Sequence, residues 1–540
     1  MKYASLISEP IPQSQPLNER QVRNNAGGFV FQIDIWSRLD RFLILGADAA
    51  TYYQKAVDLT RENAKCVTAC YDSNPVKTID TIVSVSVEGR APKNDAAIFA
   101  LALGASHQDV KVRQLALAAL PAVCRTSTHL FQFVKAAKAL GRGWGRTFKR
   151  AVAEWYNDKD VDALGYQMVK YREREGYTHK RLLQTAHPDP GKDKRRVALY
   201  KYVWGKTHVK SNLPKIVTAH DLAMEKTLTK HKLLDLIVEH NLPWEALPTE
   251  CNADPDVWAA MLPKLGLTAL IRNLGNMSRI GLIKPLSAAE NLIVTRLGSE
   301  EDLRKSRIHP FNILQAMSTY SSGKGFRGSN SWDISQSVVN ALDSAFYKAF
   351  KNVVPTGKRH LIALDVSESM SSPFGGGSLS CCQATAALAM LSVSIEPQTH
   401  VVGFFGGSGS YYTRTRGSAM NGINPLNIRA NMSLNAAMNE AQKNNFGSTD
   451  AALPMLYALQ NGLEVDVFTV MTDNETWAGS IHPMEALRQY RKKTNIPAKL
   501  IVVGMTSTGF SIADPSDGGA MDIVGFDSAA PMVMADFARK

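Results

Sequence analysis

Cysteine is scarce in this chain: Cys66, Cys70, Cys124, Cys251, Cys381 and Cys382 are the only six in 540 residues. They form no CxxC pair and no framework, which excludes a disulfide-stapled fold and predicts reduced thiols. Long apolar runs are missing as well. None approaches the ~20 residues that a bilayer-spanning helix needs. The opening stretch MKYASLISEP has no sustained apolar segment, so no secretory signal is expected and the predicted location is the cytoplasm. Composition is otherwise ordinary, 45% hydrophobic and 21% charged, which excludes wholesale disorder and allows two or more domains.

Acidic residues are in deficit, and the deficit is local. The chain holds 62 Lys+Arg against 49 Asp+Glu, a net charge of +13. Residues 358–540 hold 13 basic and 15 acidic residues, which leaves 49 basic and 34 acidic for residues 1–357. All the positive excess therefore lies in the first two thirds. Such asymmetry points to a polyanion partner for that part. A basic but inert surface is the blander alternative.

The pattern along the chain changes once. Residues 1–20 are rich in Pro, Gln and Ser and read as a flexible arm. From about Phe29 to Asn352 apolar residues recur near every 3.6 positions, as in Phe148, Val152 and Trp155 or Leu164, Met168 and Tyr171. Helix after helix on short links predicts stacked pairs in an irregular α-solenoid, with an irregular bundle as the alternative. Val354-Pro-Thr-Gly357 marks the boundary. Beyond it strand-like runs (361–364, 399–405, 465–471, 499–504) alternate with helix-like runs (381–395, 427–443, 450–460, 483–493). That alternation predicts a doubly wound α/β domain with a parallel sheet. The expected division is an arm at 1–20, a helical domain at 21–357 and an α/β domain at 358–540.

One constellation in the α/β part carries chemistry. Leu361–Leu364 predicts a buried strand, and Asp365-Val-Ser-Glu-Ser369 leaves its end. Alternate residues share a face in extended chain, so Asp365, Ser367 and Ser369 can converge. Oxygen donors with little negative charge suit a hard divalent ion, Mg²⁺ or Mn²⁺. Thr449, before a helix-like run, and Asp473, after an apolar one, complete the set. Taken singly, Thr449 also reads as a helix cap and Asp473 as a turn starter. The ordered set resembles the metal-ion-dependent adhesion site of von Willebrand A domains.

The helical part carries basic clusters. Arg142 precedes a helix with Arg146, Lys149 and Arg150 on one face, apart from its apolar row. The next helix ends in Lys170, Arg172 and Arg174. Thr178 then reads as the cap of a helix that begins His179, Lys180, Arg181 and ends near His187. Clustered cations neutralise phosphates and release counterions, though any one cluster is also an ordinary solvated helix face.

Dispersed stretches resemble the Ro ribonucleoprotein autoantigen family and its bacterial relatives, the TROVE-module proteins. They include Arg38-Leu-Asp-Arg-Phe-Leu43, Trp155-Tyr-Asn157, Leu267 to Gly275, Arg307-Ile-His-Pro-Phe311, Pro355 to Arg359 and Arg488 to Lys493. The resemblance implies a ring-like α-solenoid of HEAT-type helical repeats closed by a von Willebrand A-like domain. It further implies Y-type small RNAs on a basic outer surface, single-stranded 3′ ends of misfolded RNA in a central hole, and a monomer. It implies cooperation with a 3′ exoribonuclease such as polynucleotide phosphorylase, in RNA quality control and stress survival. It maps an RNA role onto Lys170, Arg174 and His187, and a metal role onto Asp365, Ser367, Ser369, Thr449 and Asp473.

The leading expectation is a non-catalytic RNA-binding protein. A protein–protein adaptor, with a partner carboxylate completing the metal's coordination, is the alternative. A metal-dependent hydrolase fits less well, since hydroxyls stand where two-metal nucleases place further carboxylates.

Overall fold

The computed structural model describes residues 21–23, 29–31, 35–46, 51–53, 59–91, 93–325, 330–366, 381–404, 422–442, 450–472, 481–504, 513–514, 517–524 and 530–540. The arm at 1–20 and the Gly-rich stretches 371–378 and 406–416 lie outside the described residues. The chain divides into two compact units.

Residues 59–302 and 323–341 form one unit, built of helices joined by short links. The predicted helices are there: Arg146–Asn157, Val161–Lys170 and His179–Ala186 follow one another as read. The segment from Asp109 to Cys124 is two helices, Val110–Ala118 and Leu120–Val123, with Pro121 at the second one's start. Local capping sets these boundaries. Asn74, Thr126, Asp160, Thr178 and Asp193 each accept a backbone N–H of the first turn they precede. The core is dense in aromatics, with Phe131, Phe133, Phe148, Trp155 and Tyr156 fully buried. Helix Asp95–Ala105 is buried on every side, and a side chain at Gly104 would collide with the Tyr71 hydroxyl.

Residues 1–58, 303–322 and 342–540 form the other unit. Here β1 (Gln21–Arg23) and β2 (Phe29–Phe31) pair antiparallel, and β3 (Thr51–Tyr53) follows helix Ile35–Leu45. In the helical unit β4 (Glu173–Arg174) and β5 (Tyr177–Thr178) form a small hairpin. The sheet strands then come in order: β6 (Arg359–Asp365), β7 (Gln398–Phe404), β8 (Ile423–Pro425), β9 (Val467–Thr472), β10 (Lys499–Gly504) and β11 (Ala520–Val524). They assemble with β3 in the order β3-β11-β10-β9-β6-β7-β8, all parallel except β8, which runs antiparallel to β7.

The sheet is parallel, as expected, with one antiparallel edge strand, β8. Residues 1–58 and 303–322, inside or before the helical domain expected at 21–357, cluster with the sheet. Strand β3 pairs with β11, Thr51 opposite Asp522, and Lys540 forms an ion pair with Asp40 at 2.7 Å. Strand pairing joins residues far apart in sequence, and a three-residue strand has no period to read. The boundary at Val354–Gly357 is a tight link. The buried carboxylate of Glu396 accepts the N–H groups of Thr356 (2.8 Å) and Gly357 (3.0 Å) just before β6 begins.

Candidate functional site

Two sites follow from the sequence, one per unit. In the α/β unit, β6 is buried along most of its length because covering helices leave neither face to water. It ends at Asp365, which is 4% exposed. Strand β9 lies beside it in parallel, with Leu364 opposite Met471. Thr472, the next residue along, donates its hydroxyl to Asp365 Oδ2 at 2.9 Å. From β6 the chain proceeds to β7 on one side and later returns to β9 on the other. Asp365 thus stands at the carboxyl end of a strand at the sheet's switch point, the position where open α/β sheets bind ligands.

Ser367, Ser369, Thr449 and Asp473 lie outside the described residues, so of the predicted metal set Asp365 alone is placed. Among the described residues no group of three or more His, Cys, Asp or Glu could hold a metal ion. The donor set is of a different kind, two carboxylates with three hydroxyls. The described part of β9 ends at Thr472, beside the end of β6. Asp450, next to Thr449, is pushed up to about 6 by burial.

In the helical unit the predicted cations divide by what they touch. Arg146 and Arg150 are exposed and Lys149 is half-buried, while Phe148, Val152 and Trp155 on the same helix are buried. Arg150 pairs with Glu154 at 3.6 Å across an open surface, which contributes little. Arg142 is turned inward: it donates to Thr147 Oγ1 at 3.2 Å and rests over Phe148, with its Nε buried and unpartnered. Lys170 lies against two rings, 5.6 Å from the centres of both Tyr166 and Tyr171. Exposed Arg172 donates to the Glu245 carbonyl at 3.1 Å. Arg174 and Lys180 are exposed, and so is His187, which terminates its helix in the left-handed region at φ 51. Arg181 is exposed over the Tyr177 ring at 4.6 Å. A further basic run, Lys192-Asp-Lys-Arg-Arg196, commits its two arginines to other parts of the fold. Arg195 pairs with Asp162 at 2.5 Å, and Arg196 donates to the carbonyls of Tyr156 (2.7 Å) and Lys159 (2.8 Å).

His179 is a correction. It was expected among the RNA-contacting residues, yet it is 4% exposed. Its Nε2 lies 3.1 Å from the Tyr171 carbonyl and its Nδ1 2.9 Å from the Tyr156 hydroxyl. A carbonyl can only accept, so Nε2 carries the proton and Nδ1 accepts from Tyr156. Burial pushes its pKa down to about 4. The histidine therefore holds the segment bearing Lys170, Arg172 and Arg174 rather than touching a ligand. The sequence did contain the signal: His179, Leu182, Leu183 and Ala186 are spaced i, i+3, i+4, i+7 and all four are buried. The sequence shows Tyr171 only as a member of an apolar row and does not mark Tyr166 or Tyr177, because nothing local says that a cation will rest on them.

Two family profiles match most of the chain. The TROVE domain profile matches residues 22–239 and 236–322. The Ro60 vWA domain profile matches residues 359–538. A Deinococcus radiodurans protein named RNA-binding protein RO60 is 41% identical over 534 residues, covering 98% of this chain and 97% of that one. A Caenorhabditis elegans protein of the same name is 34% identical, covering 97% and 91%. The crystal structure of the Deinococcus radiodurans RO (RSR) protein is similar at a TM-score of 0.85 and 40% identity, over 94% of this chain and 99% of that one. Helical repeats bearing a strongly basic stretch, followed by a sheet with an acidic switch point, together with these matches, place the chain in the Ro60 family of RNA-binding proteins, a TROVE domain followed by a Ro60 vWA domain.

Proposed function

We propose that this protein binds structured noncoding RNA through its helical unit and serves in RNA quality control and stress survival. The observation that carries this reading is the charge partition: all the positive excess lies in residues 1–357, with exposed Arg146, Arg150, Arg172, Arg174, Lys180 and Arg181 in one stretch. In this reading Y-type small RNA binds the basic outer surface. Single-stranded 3′ ends of misfolded RNA enter a central hole, since only an unpaired strand is thin enough to thread one. The RNA is held, not cut; a 3′ exoribonuclease such as polynucleotide phosphorylase acts as a separate partner in the cytoplasm, and the protein works as a monomer.

In the α/β unit, Asp365, Ser367, Ser369, Thr449 and Asp473 would hold one Mg²⁺ or Mn²⁺. The buried Asp365 at the switch point supports a ligand there. A partner carboxylate completing that ion's shell is the adaptor reading, and the same crevice favours it.

The test is binding of the purified protein to one structured RNA with and without a single-stranded 3′ tail. The tailed RNA is expected to bind tighter. Equal affinity would remove the threading idea, and absence of binding to either would remove the RNA reading.

A further inference from the structure

We infer that the β4–β5 hairpin and Arg181 form a stacking site for an unpaired nucleobase, with Arg174 beside it for the adjoining phosphate. This deepens the RNA-binding reading and rests on it.

Several cations of the stretch 142–206 rest on aromatic rings. Lys159 lies 4.2 Å from the Trp155 ring, Lys170 lies 5.6 Å from the centres of both Tyr166 and Tyr171, Arg181 lies 4.6 Å from Tyr177, and Lys206 lies 5.2 Å from Trp204. A ring carries no net charge, so a cation resting on one remains uncompensated. Other cations of the unit face carboxylates, as where Asp162 binds Arg195 at 2.5 Å or Asp254 and Asp256 both bind Lys230 at 3.0 and 2.5 Å.

At Arg181 the geometry goes further. The guanidinium carbon of Arg181 lies over the Tyr177 ring, 4.6 Å from its centre, and Nη1 donates to the Gly176 carbonyl at 3.1 Å. Two contacts thus hold the group, and the residue is exposed. A guanidinium plane with an open face stacks a base, and a base that is already paired inside a duplex has no face to offer. The hairpin holding this plane is stiff. Glu175 (φ 57) and Gly176 (φ 74) are both left-handed, as a type I′ turn requires. Lys135 binds Glu175 at 2.6 Å and anchors the turn to helix Ser127–Ala139.

Arg174 is the cross-strand partner of Tyr177. Side chains opposite each other leave the same face, about 5 Å apart at Cβ. The nearest carboxylate, Glu175, is 3.8 Å from Arg174 and is already engaged by Lys135. An exposed cation, sharing Glu175 with Lys135, therefore flanks Tyr177 on one face of the hairpin.

The experiment compares full-length protein binding to one structured RNA carrying a 3′ tail of ordinary nucleotides or a tail of abasic residues with the same charge. The ordinary tail should bind about tenfold tighter, the effect of one stacked base. Arg181→Lys keeps the charge and loses the plane. It should reduce that preference to about twofold or less and leave the salt dependence of binding unchanged. Tyr177→Leu should do the same. Equal wild-type affinity for the two tails would overturn the stacking site and leave RNA binding standing. Retained preference in both variants would overturn its placement on the hairpin. If wild type bound neither RNA, the RNA reading itself would fall.

Discussion

The buried histidine under the basic segment makes stability depend on pH in a calculable way. An unfolded histidine takes up its proton near pH 6.5, whereas burial holds His179 down to about 4. Between those values the unfolded chain binds more protons than the native one, so stability rises with pH. The His179 contribution is whole above pH 6.5 and is lost as pH falls toward 4. At 1.36 kcal/mol per pKa unit the total is about 3 kcal/mol, of which about 2 kcal/mol is gone at pH 5. The chemical cause is specific. A proton on Nδ1 turns an acceptor into a donor facing the Tyr156 hydroxyl, whose own proton then loses its acceptor in a site closed to water. His309, also held down to about 4 by burial, titrates in the same window, so the assay must be a difference. We would measure the opening free energy of residues 155–186 by hydrogen exchange at pH 7.5 and 5.0, in wild type and in His179→Gln. Glutamine can serve both partners and has no proton to gain. The acid loss should be smaller in the variant by about 2 kcal/mol. The same acid loss in both proteins would mean that His179 titrates as though solvated, and would refute the assignment.

Two further outcomes concern the sites themselves. Replacing Lys170 and Arg174 with Ala should weaken RNA binding and lower the log–log salt slope by about 1.4, two single-strand phosphate contacts at roughly 0.7 each, in titrations from 50 to 200 mM salt; an unchanged slope would mean that neither side chain meets a phosphate. Asp365→Ala should abolish any rise in melting temperature on adding Mg²⁺ while leaving RNA affinity within about twofold, since removing a metal ligand acts on ion binding to the native state alone. Loss of RNA binding in a folded Asp365→Ala protein would contradict the placing of RNA on the helical unit.

Local pattern carried a large share of this protein. The apolar runs read at 361–364 and 499–504 are the strands Arg359–Asp365 and Lys499–Gly504, and helix Cys381–Ile395 has the bounds its periodicity implied. These elements are legible because burial on both faces of a parallel sheet leaves continuous apolar strands, bounded by caps and turns that act within a few residues. Charge partition and the Asp365 strand end are local in the same sense. Folding decided what depends on distant partners. Strand β3 is three residues of no evident pattern until β11 pairs with it, and β8 is a strand because β7 offers its edge. His179 stands between Thr178 and Lys180 like one more surface cation. Its role as a buried post comes from Tyr156, 23 residues before it, and from the Tyr171 carbonyl. Whether a cation faces a carboxylate, a ring or open water is likewise settled by packing between helices. Periodicity says which face of a helix is buried, and only the fold says what stands opposite the other one.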